Sequence, residues 1–124
     1  MADMSLESAL KDFGQDAYLI TVGDDGPHTS NVTVALQEGD ITCALGNSAQ
    51  TNIAKRANVS LFWPPLEAGG YGIVLNGRAT LDKGKDGMPN ATIALTKAVF
   101  HRPGARPAGS VGPCKSDCRP LDFS

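Results

Sequence analysis

This chain of 124 residues has no basic run, no apolar stretch long enough to cross a bilayer and no internal repeat. Lys and Arg number 11 against 13 Asp and Glu, a net charge of -2, and that balance argues against nucleic acid as a main partner. The longest apolar runs are strand-sized, so no membrane span is expected, and the opening "MADMSLES" lacks the basic and apolar regions of a signal peptide. The expected location is therefore the cytoplasm. Cysteine is scarce and odd in number, three in all, which suits a reducing compartment better than a disulfide scaffold. No Ser or Cys stands with His28 or His101 in a catalytic signature, and no residue is an evident acid or base.

What is present is the balance of an ordinary globular domain, 41% hydrophobic and 19% charged, with a length that suits one core. In "SLESALKDFG", Ser5 caps a short helix, Leu6, Leu10 and Phe13 share a face, and Gly14 ends it. "AYLITVGDDGPHTSNVTVAL" is two strands around "GDDG", a hairpin signal because Asp-Gly accepts positive φ. Val32, Val34 and Leu36 alternate with Asn31, Thr33 and Ala35. "ITCAL" is a third strand, with Cys43 buried between Ile41 and Leu45.

"ALGNSAQTNIAKRANVSLFWPP" then predicts a helix capped by Asn47 or Ser48, with Ala49, Ile53 and Ala57 as its apolar stripe and Lys55 and Arg56 at its C-terminal end. "NVSLFW" is a fourth strand, "PPLEAGG" a loop and "YGIVLNGRATL" a fifth strand. On the fifth strand Ile73, Leu75, Ala79 and Leu81 face inward, and Arg78 and Asp82 are solvent-facing charges. "ATIALTKAVFHR" supplies one or two more strand segments. Residues 103–124, dense in Pro and Gly and without periodicity, are expected to form an irregular tail outside a barrel domain spanning 1–102. Cys114 and Cys118 in that tail could ligate zinc with His101 or His28, form a redox pair, or remain free thiols; the last is the expectation, and no metal site is assigned. The sum is a mainly β chain, a six-stranded antiparallel barrel with two short helices.

The order and spacing of "AYLITVGDDGPHTSNVTVAL", "GDITCALGNSAQTNIAKRANVSLFW" and "VLNGRATL" resemble the pyridoxamine 5'-phosphate oxidase-related, FMN-binding split-barrel superfamily, over roughly residues 5 to 81. The resemblance implies a homodimer that holds two flavin mononucleotides in the clefts between subunits. It also implies a bacterial oxidoreductase acting on a small-molecule substrate through the flavin. It assigns ring support to Ser30, Asn31, Val32 and Thr33, within the segment from Thr29 to Thr33, and phosphate contacts to Asn47, Ser48, Thr51 and Asn52. The resemblance would put Trp63 and the Tyr71 to Ile73 segment near the cleft, although Trp63 before two prolines reads more as core or dimer contact than as a substrate platform.

The chain departs from the family at the phosphate. Oxidases of the group carry an arginine on the second strand and an Arg-Lys pair at the helix start; here those positions are Ser30, Ser48 and Ala49. A hydrogen bond to a charged group contributes about 1.5–3 kcal/mol, so losing three removes on the order of 5 kcal/mol, three or more decades of affinity. Neutral donors and the free N–H groups of a helix start return part of this. Lys55 and Arg56 would have to fold back to help. Two other readings stay open: a degenerate barrel without cofactor that works as a binding or structural protein, and a deazaflavin-dependent reductase, whose acidic cofactor tail wants more basic residues than this chain offers.

Overall fold

The computed structural model describes residues 5–37, 39–84, 87–103 and 116–121. Helix α1 (Leu6–Phe13) is capped by Ser5, whose hydroxyl accepts from the Ser8 N–H at 3.2 Å, and closes at Gly14, where φ of 85° favours glycine. Strands β1 (Asp16–Gly23) and β2 (Gly26–Gln37) form the predicted hairpin, with Asp24 and Asp25 at its turn. β3 (Asp40–Ala44), helix α2 (Asn47–Lys55), β4 (Asn58–Trp63), β5 (Gly72–Lys83), β6 (Pro89–Pro103) and β7 (Ser116–Pro120) follow.

All neighbouring strands are antiparallel, in the order β3-β2-β1-β4-β5-β6, and β3 pairs back onto β6. That last pairing, between residues 41–44 and 90–93, closes a six-stranded barrel and leaves the rest of that β6 edge uncovered by β3. Period-2 alternation sends one side of each strand inward, and Leu19, Ile41, Leu61, Ile73, Leu75 and Ile93 are almost fully buried there. α1 covers one end of the barrel with Leu6 and Ala9. Trp63, only 1% exposed, donates its Nε1–H to the Gly14 carbonyl at 3.1 Å, tying β4 to the end of α1. Its place is therefore the core, and not the rim of a cleft.

Of the one or two strand segments expected after Met88, the structure has one, the fifteen-residue β6, interrupted by a bulge, and other expectations are revised. Asn76 pairs with Lys97 but Gly77 pairs with Leu95, so Thr96 is the extra residue, and its hydroxyl donates to the Asn76 carbonyl at 3.2 Å. Leu81, expected on the inner face, is 37% exposed where β5 runs past the core. Part of the expected irregular tail is a strand: Ser116–Pro120 pair with Val99–Pro103 of β6, and Leu121 is buried with its N–H on the Ala98 carbonyl at 2.8 Å. The physical reason is an open edge. β3 covers β6 only over residues 90–93, and the rest of that edge offers unpaired backbone groups that a returning segment satisfies whatever its side-chain pattern. Cys114 lies outside the described residues, and Cys118 stands opposite His101 in the β6–β7 register.

The bulge has no room for a side chain. A Cβ on Gly77 would lie 2.6 Å from the Ala94 carbonyl oxygen and 2.7 Å from Ile93 Cγ2, both held by the sheet. Gly77→Ala is expected to destabilise the fold by about 1–3 kcal/mol, the usual cost of overpacking. Urea denaturation checks this; a variant within 0.5 kcal/mol of the wild type, on the scale of neutral surface changes, would contradict the tight bulge.

Candidate functional site

The β1–β2 hairpin presents two different surfaces. Thr29, Asn31 and Thr33 are exposed on its outer side, and the Thr33 hydroxyl donates to Asp16 Oδ1 at 3.3 Å. His28, Ser30 and Val32 alternate with them and turn inward. Val32 belongs to the buried core, so its side chain packs rather than meets a ligand. His28 and Ser30 are half-buried, and Thr21, the register partner of His28 on β1, is fully buried.

Helix α2 lies against this hairpin. Ala49 and Ile53 pack into the core, whereas Ala57, predicted as the third residue of the stripe, falls beyond the helix end; its carbonyl instead accepts the Ala79 N–H at 2.8 Å. The N-cap is Gly46, not Asn47 or Ser48, and no side chain caps the helix start. Its first N–H groups therefore keep their capacity to donate, at the positive end of the helix dipole. Asn47, Ser48 and Thr51 are exposed. Asn52 is committed elsewhere, its Nδ2 donating to Thr21 Oγ1 at 3.0 Å. Gly23 leaves space for that amide, since a Cβ there would meet Asn52 Oδ1 at 3.0 Å.

The two cations of α2 are also committed. Lys55 Nζ stands 3.0 Å from Asp24 Oδ2 and Arg56 3.1 Å from Asp24 Oδ1, so both turn to the hairpin tip rather than back to the helix start. Asn52 on Thr21 and Lys55 on Asp24 together fix the direction of α2 along β1 towards the turn. The fold brings α2 against β1 and β2, although Ser30 and Asn47 are 17 residues apart in the chain.

Two buried side-chain atoms in this region lack a hydrogen-bond partner among the described residues, His28 Nδ1 and Ser30 Oγ. Such a group costs about 1–3 kcal/mol when left unsatisfied. Neither His28 nor Thr21 stood out in the sequence as a site residue. The inward phase of β2 could have flagged His28; the bond between Thr21 and Asn52, 31 residues apart, left no local trace.

Around the barrel wall, a hollow of about 340 Å³ is lined by Ile20, Val22, Ser60, Asn76, Gly77 and Thr96 among others. Within its lining, Ser60 Oγ donates to Asn76 Oδ1 at 2.6 Å. Ile20 is the register partner of Thr29 on one side and of Ser60 on the other, so the hollow adjoins the outer surface of β2. One row above it, Tyr18, Phe62, Val74 and Val99 stand side by side across four strands and are exposed to differing degrees. Tyr71 instead packs against Phe100, ring centroids 5.7 Å apart and tilted by 56°, and lies under the Arg102 guanidinium at 4.5 Å. Asp82 is exposed as expected and accepts from Asn90 and Thr92, which hold its carboxyl below the ordinary value. Burial pushes the Cys43 thiol up to about 11, so it behaves as a core residue. Among the described residues no three His, Cys, Asp or Glu side chains group as metal ligands, and no helix is long and apolar enough to cross a membrane.

This chain is 34% identical over 130 aligned residues to an uncharacterized protein of Mycobacterium bovis and, with the same values, to one of Mycobacterium tuberculosis, spanning 91% of this chain and 89% of each relative. No protein-family model matches it. Among solved structures it is similar to a conserved hypothetical protein of Mycobacterium tuberculosis, with a TM-score of 0.63 at 17% identity over 91% of this chain and 96% of that one. A Clostridium acetobutylicum protein related to general stress protein 26, of the pyridoxinephosphate oxidase family, gives 0.63 at 11% identity over 77% and 85%. An FAD-binding protein of Mesorhizobium loti gives 0.61 at 11% identity over 78% and 92%.

The Asp24 cluster yields a prediction with a definite sign. Hydrogen bonds from Lys55 and Arg56, with their charges, hold the Asp24 carboxyl below its ordinary 3.8. A lowered folded-state value means that the stabilisation is present above pH 3.8 and is lost as pH falls through the lowered value. Wild type and Asp24→Asn should therefore differ in thermal stability near neutral pH and converge in acid. The gap should be small and shrink with added salt, because the pair is solvent-exposed. A gap that widens below pH 3 would contradict this assignment.

Proposed function

We infer the function from one premise: the chain belongs to one family with the two mycobacterial proteins and is built on the split barrel of the pyridoxamine 5'-phosphate oxidase-related superfamily. On that premise we propose that it binds a flavin, FMN in particular, and serves as an oxidoreductase for a small molecule. The observation that carries the reading is the unpartnered, buried Ser30 hydroxyl on β2, against which α2 packs with no side-chain cap at its start. A phosphate monoester satisfies both, as acceptor for a hydroxyl and for helix N–H groups.

In this reading Ser30, Ser48, Thr51 and the first N–H groups of α2 hold the phosphate, while Asn52 acts from behind by fixing α2 on Thr21. The bound flavin supplies the hydride chemistry, and the protein's part is to bind, orient and exclude water. Water exclusion needs a second wall. The apolar row Tyr18–Phe62–Val74–Val99 beside the hollow suits a second copy of the chain, so the working unit proposed is a homodimer.

A second reading, a barrel that has given up its cofactor, is favoured by one observation, the commitment of Lys55 and Arg56 to Asp24. Flavin titration separates the two. The first reading expects quenching of FMN fluorescence with saturation, a yellow protein after gel filtration, and an affinity about 10–100-fold lower in Ser30→Ala, the worth of one hydrogen bond to a charged group. A colourless protein that takes up neither FMN nor a deazaflavin supports the second.

The dimer has its own test. Sedimentation should give twice the chain mass, and Ile20→Lys, at the centre of the outer face, should yield a folded monomer with weakened flavin uptake. A wild-type monomer at micromolar concentration would remove the second wall from the proposal.

A further inference from the structure

We propose that the hollow of about 340 Å³ in the barrel wall is a binding site for a small uncharged molecule with an amide-type CO–NH edge, and that the Asn76 side chain reads that edge. The inference goes beyond the flavin reading and does not rest on it: among the described residues, none that lines the hollow belongs to α2 or β2. Ile20, Ser60 and Asn76 are successive register partners on β1, β4 and β5, so their side chains share the outward face. Ile20 and Val22 make the β1 side of the hollow apolar, while Ser60, Asn76 and Thr96 supply polar groups from β4, β5 and β6. Apolar walls with a few placed polar groups are the pattern of small-molecule sites, whose usual volumes are about 300–1,000 Å³. The hollow sits at the small end of that range and suits a molecule of one or two rings.

Asn76 is held at both ends. The Ser60 hydroxyl donates to its Oδ1 at 2.6 Å, and the hydroxyl of Thr96, the bulge residue, donates to its backbone carbonyl at 3.2 Å. With Oδ1 receiving the Ser60 proton, Nδ2 is the donor, and among the described residues no protein acceptor meets it. Oδ1 keeps a second lone pair. The amide thus offers a donor and an acceptor side by side, and a CO–NH edge answers both with two hydrogen bonds. An ether or ester oxygen answers one of them, and a carboxylate has no proton for Oδ1. Charge points the same way, because no charged side chain lines the hollow among the described residues. On neighbouring positions, Arg78 donates to Asn58 Oδ1 at 3.1 Å, and Lys97, the register partner of Asn76, is exposed and stands outside the lining. An anion entering here loses hydration without gaining a fixed cation. A ligand without the CO–NH edge displaces water from the amide and leaves it unpaired, and that penalty makes recognition by a neutral polar group selective.

The test uses the full chain labelled with ¹⁵N, in the oligomeric state it adopts, and Asn76→Leu identifies the Asn76 side-chain NH₂ signal. Three probes are titrated separately: carbostyril, a fused-ring lactam; its O-methyl ether, which lacks the N–H; and quinaldate, the ring carboxylate. The expected result is a saturable shift of the Asn76 NH₂ signal with carbostyril, and binding weaker by about tenfold or more for the ether and for quinaldate. Asn76→Leu should weaken carbostyril by about tenfold or more and change the ether less than about twofold. Ser60→Ala, which keeps the amide but frees it to turn, should fall between wild type and Asn76→Leu. The proposal is overturned if carbostyril leaves the Asn76 signal unmoved, as it would where a partner chain fills the hollow. It is equally overturned if carbostyril and its ether bind alike, or if quinaldate binds more tightly than either. FMN is titrated into the same protein, and an Asn76 signal that FMN moves as carbostyril does gives the hollow to the cofactor and overturns the proposal. Carbostyril binding in a protein that takes up no FMN leaves this site standing and removes the flavin reading. FMN uptake in a protein whose Asn76 signal ignores carbostyril does the reverse.

Discussion

The pairing of β3 with β6 is the constraint on which the rest of this structure depends. Without it the sheet is an open ribbon with two unsatisfied edges, and the inward rows of Leu19, Ile41, Leu61 and Ile93 have no common interior. With it, β6 becomes the strand that everything else is measured against: β5 runs along one edge for its whole length, and β3 and β7 share the other. The bulge at Thr96 accommodates the bend that closure demands, and Gly77 is the residue small enough to lie beneath it.

Closure also decides where chemistry can occur. A barrel of this size is filled by side chains, so a ligand must bind outside it or at a seam. The seam here lies where α2 crosses the β1–β2 hairpin. It is held by Asn52 on Thr21 inside and by Lys55 and Arg56 on Asp24 outside. The inner bond is shielded from water and orients the helix; the outer pair is exposed and contributes little to stability. Its larger effect is to turn two positive charges away from the helix start, where the side chains are neutral.

Much of the architecture was legible along the chain. The Asp-Gly turn, the Ser5 cap, the Gly14 stop and the alternation of Val32 and Val34 are local signals, each with a local cause, and each element formed where it was expected. The deviations share another cause. Thr96 breaks the period of β6 by one residue, and a bulge leaves no mark in composition. β7 forms because an edge of β6 is unpaired, not because its residues favour a strand. Trp63 before two prolines read as core or dimer contact while the resemblance put it near the cleft; its bond to the Gly14 carbonyl, 49 residues away, fixes it in the core.

The candidate site divides in the same way. The sequence by itself determined the residue types available: hydroxyls and amides on the second strand and at the helix start, no arginine or lysine there, and the order of elements that marks a split barrel. Tertiary structure alone decided their employment. It turned Val32 into the core, bound Asn52 to Thr21, paired both helix cations with Asp24, and left His28 and Ser30 side by side without partners. The physical reason is range. Turns, caps and alternation act over a few residues and can be read in order, whereas the satisfaction of a buried polar atom depends on groups some thirty positions away that only the closed barrel brings within hydrogen-bonding distance.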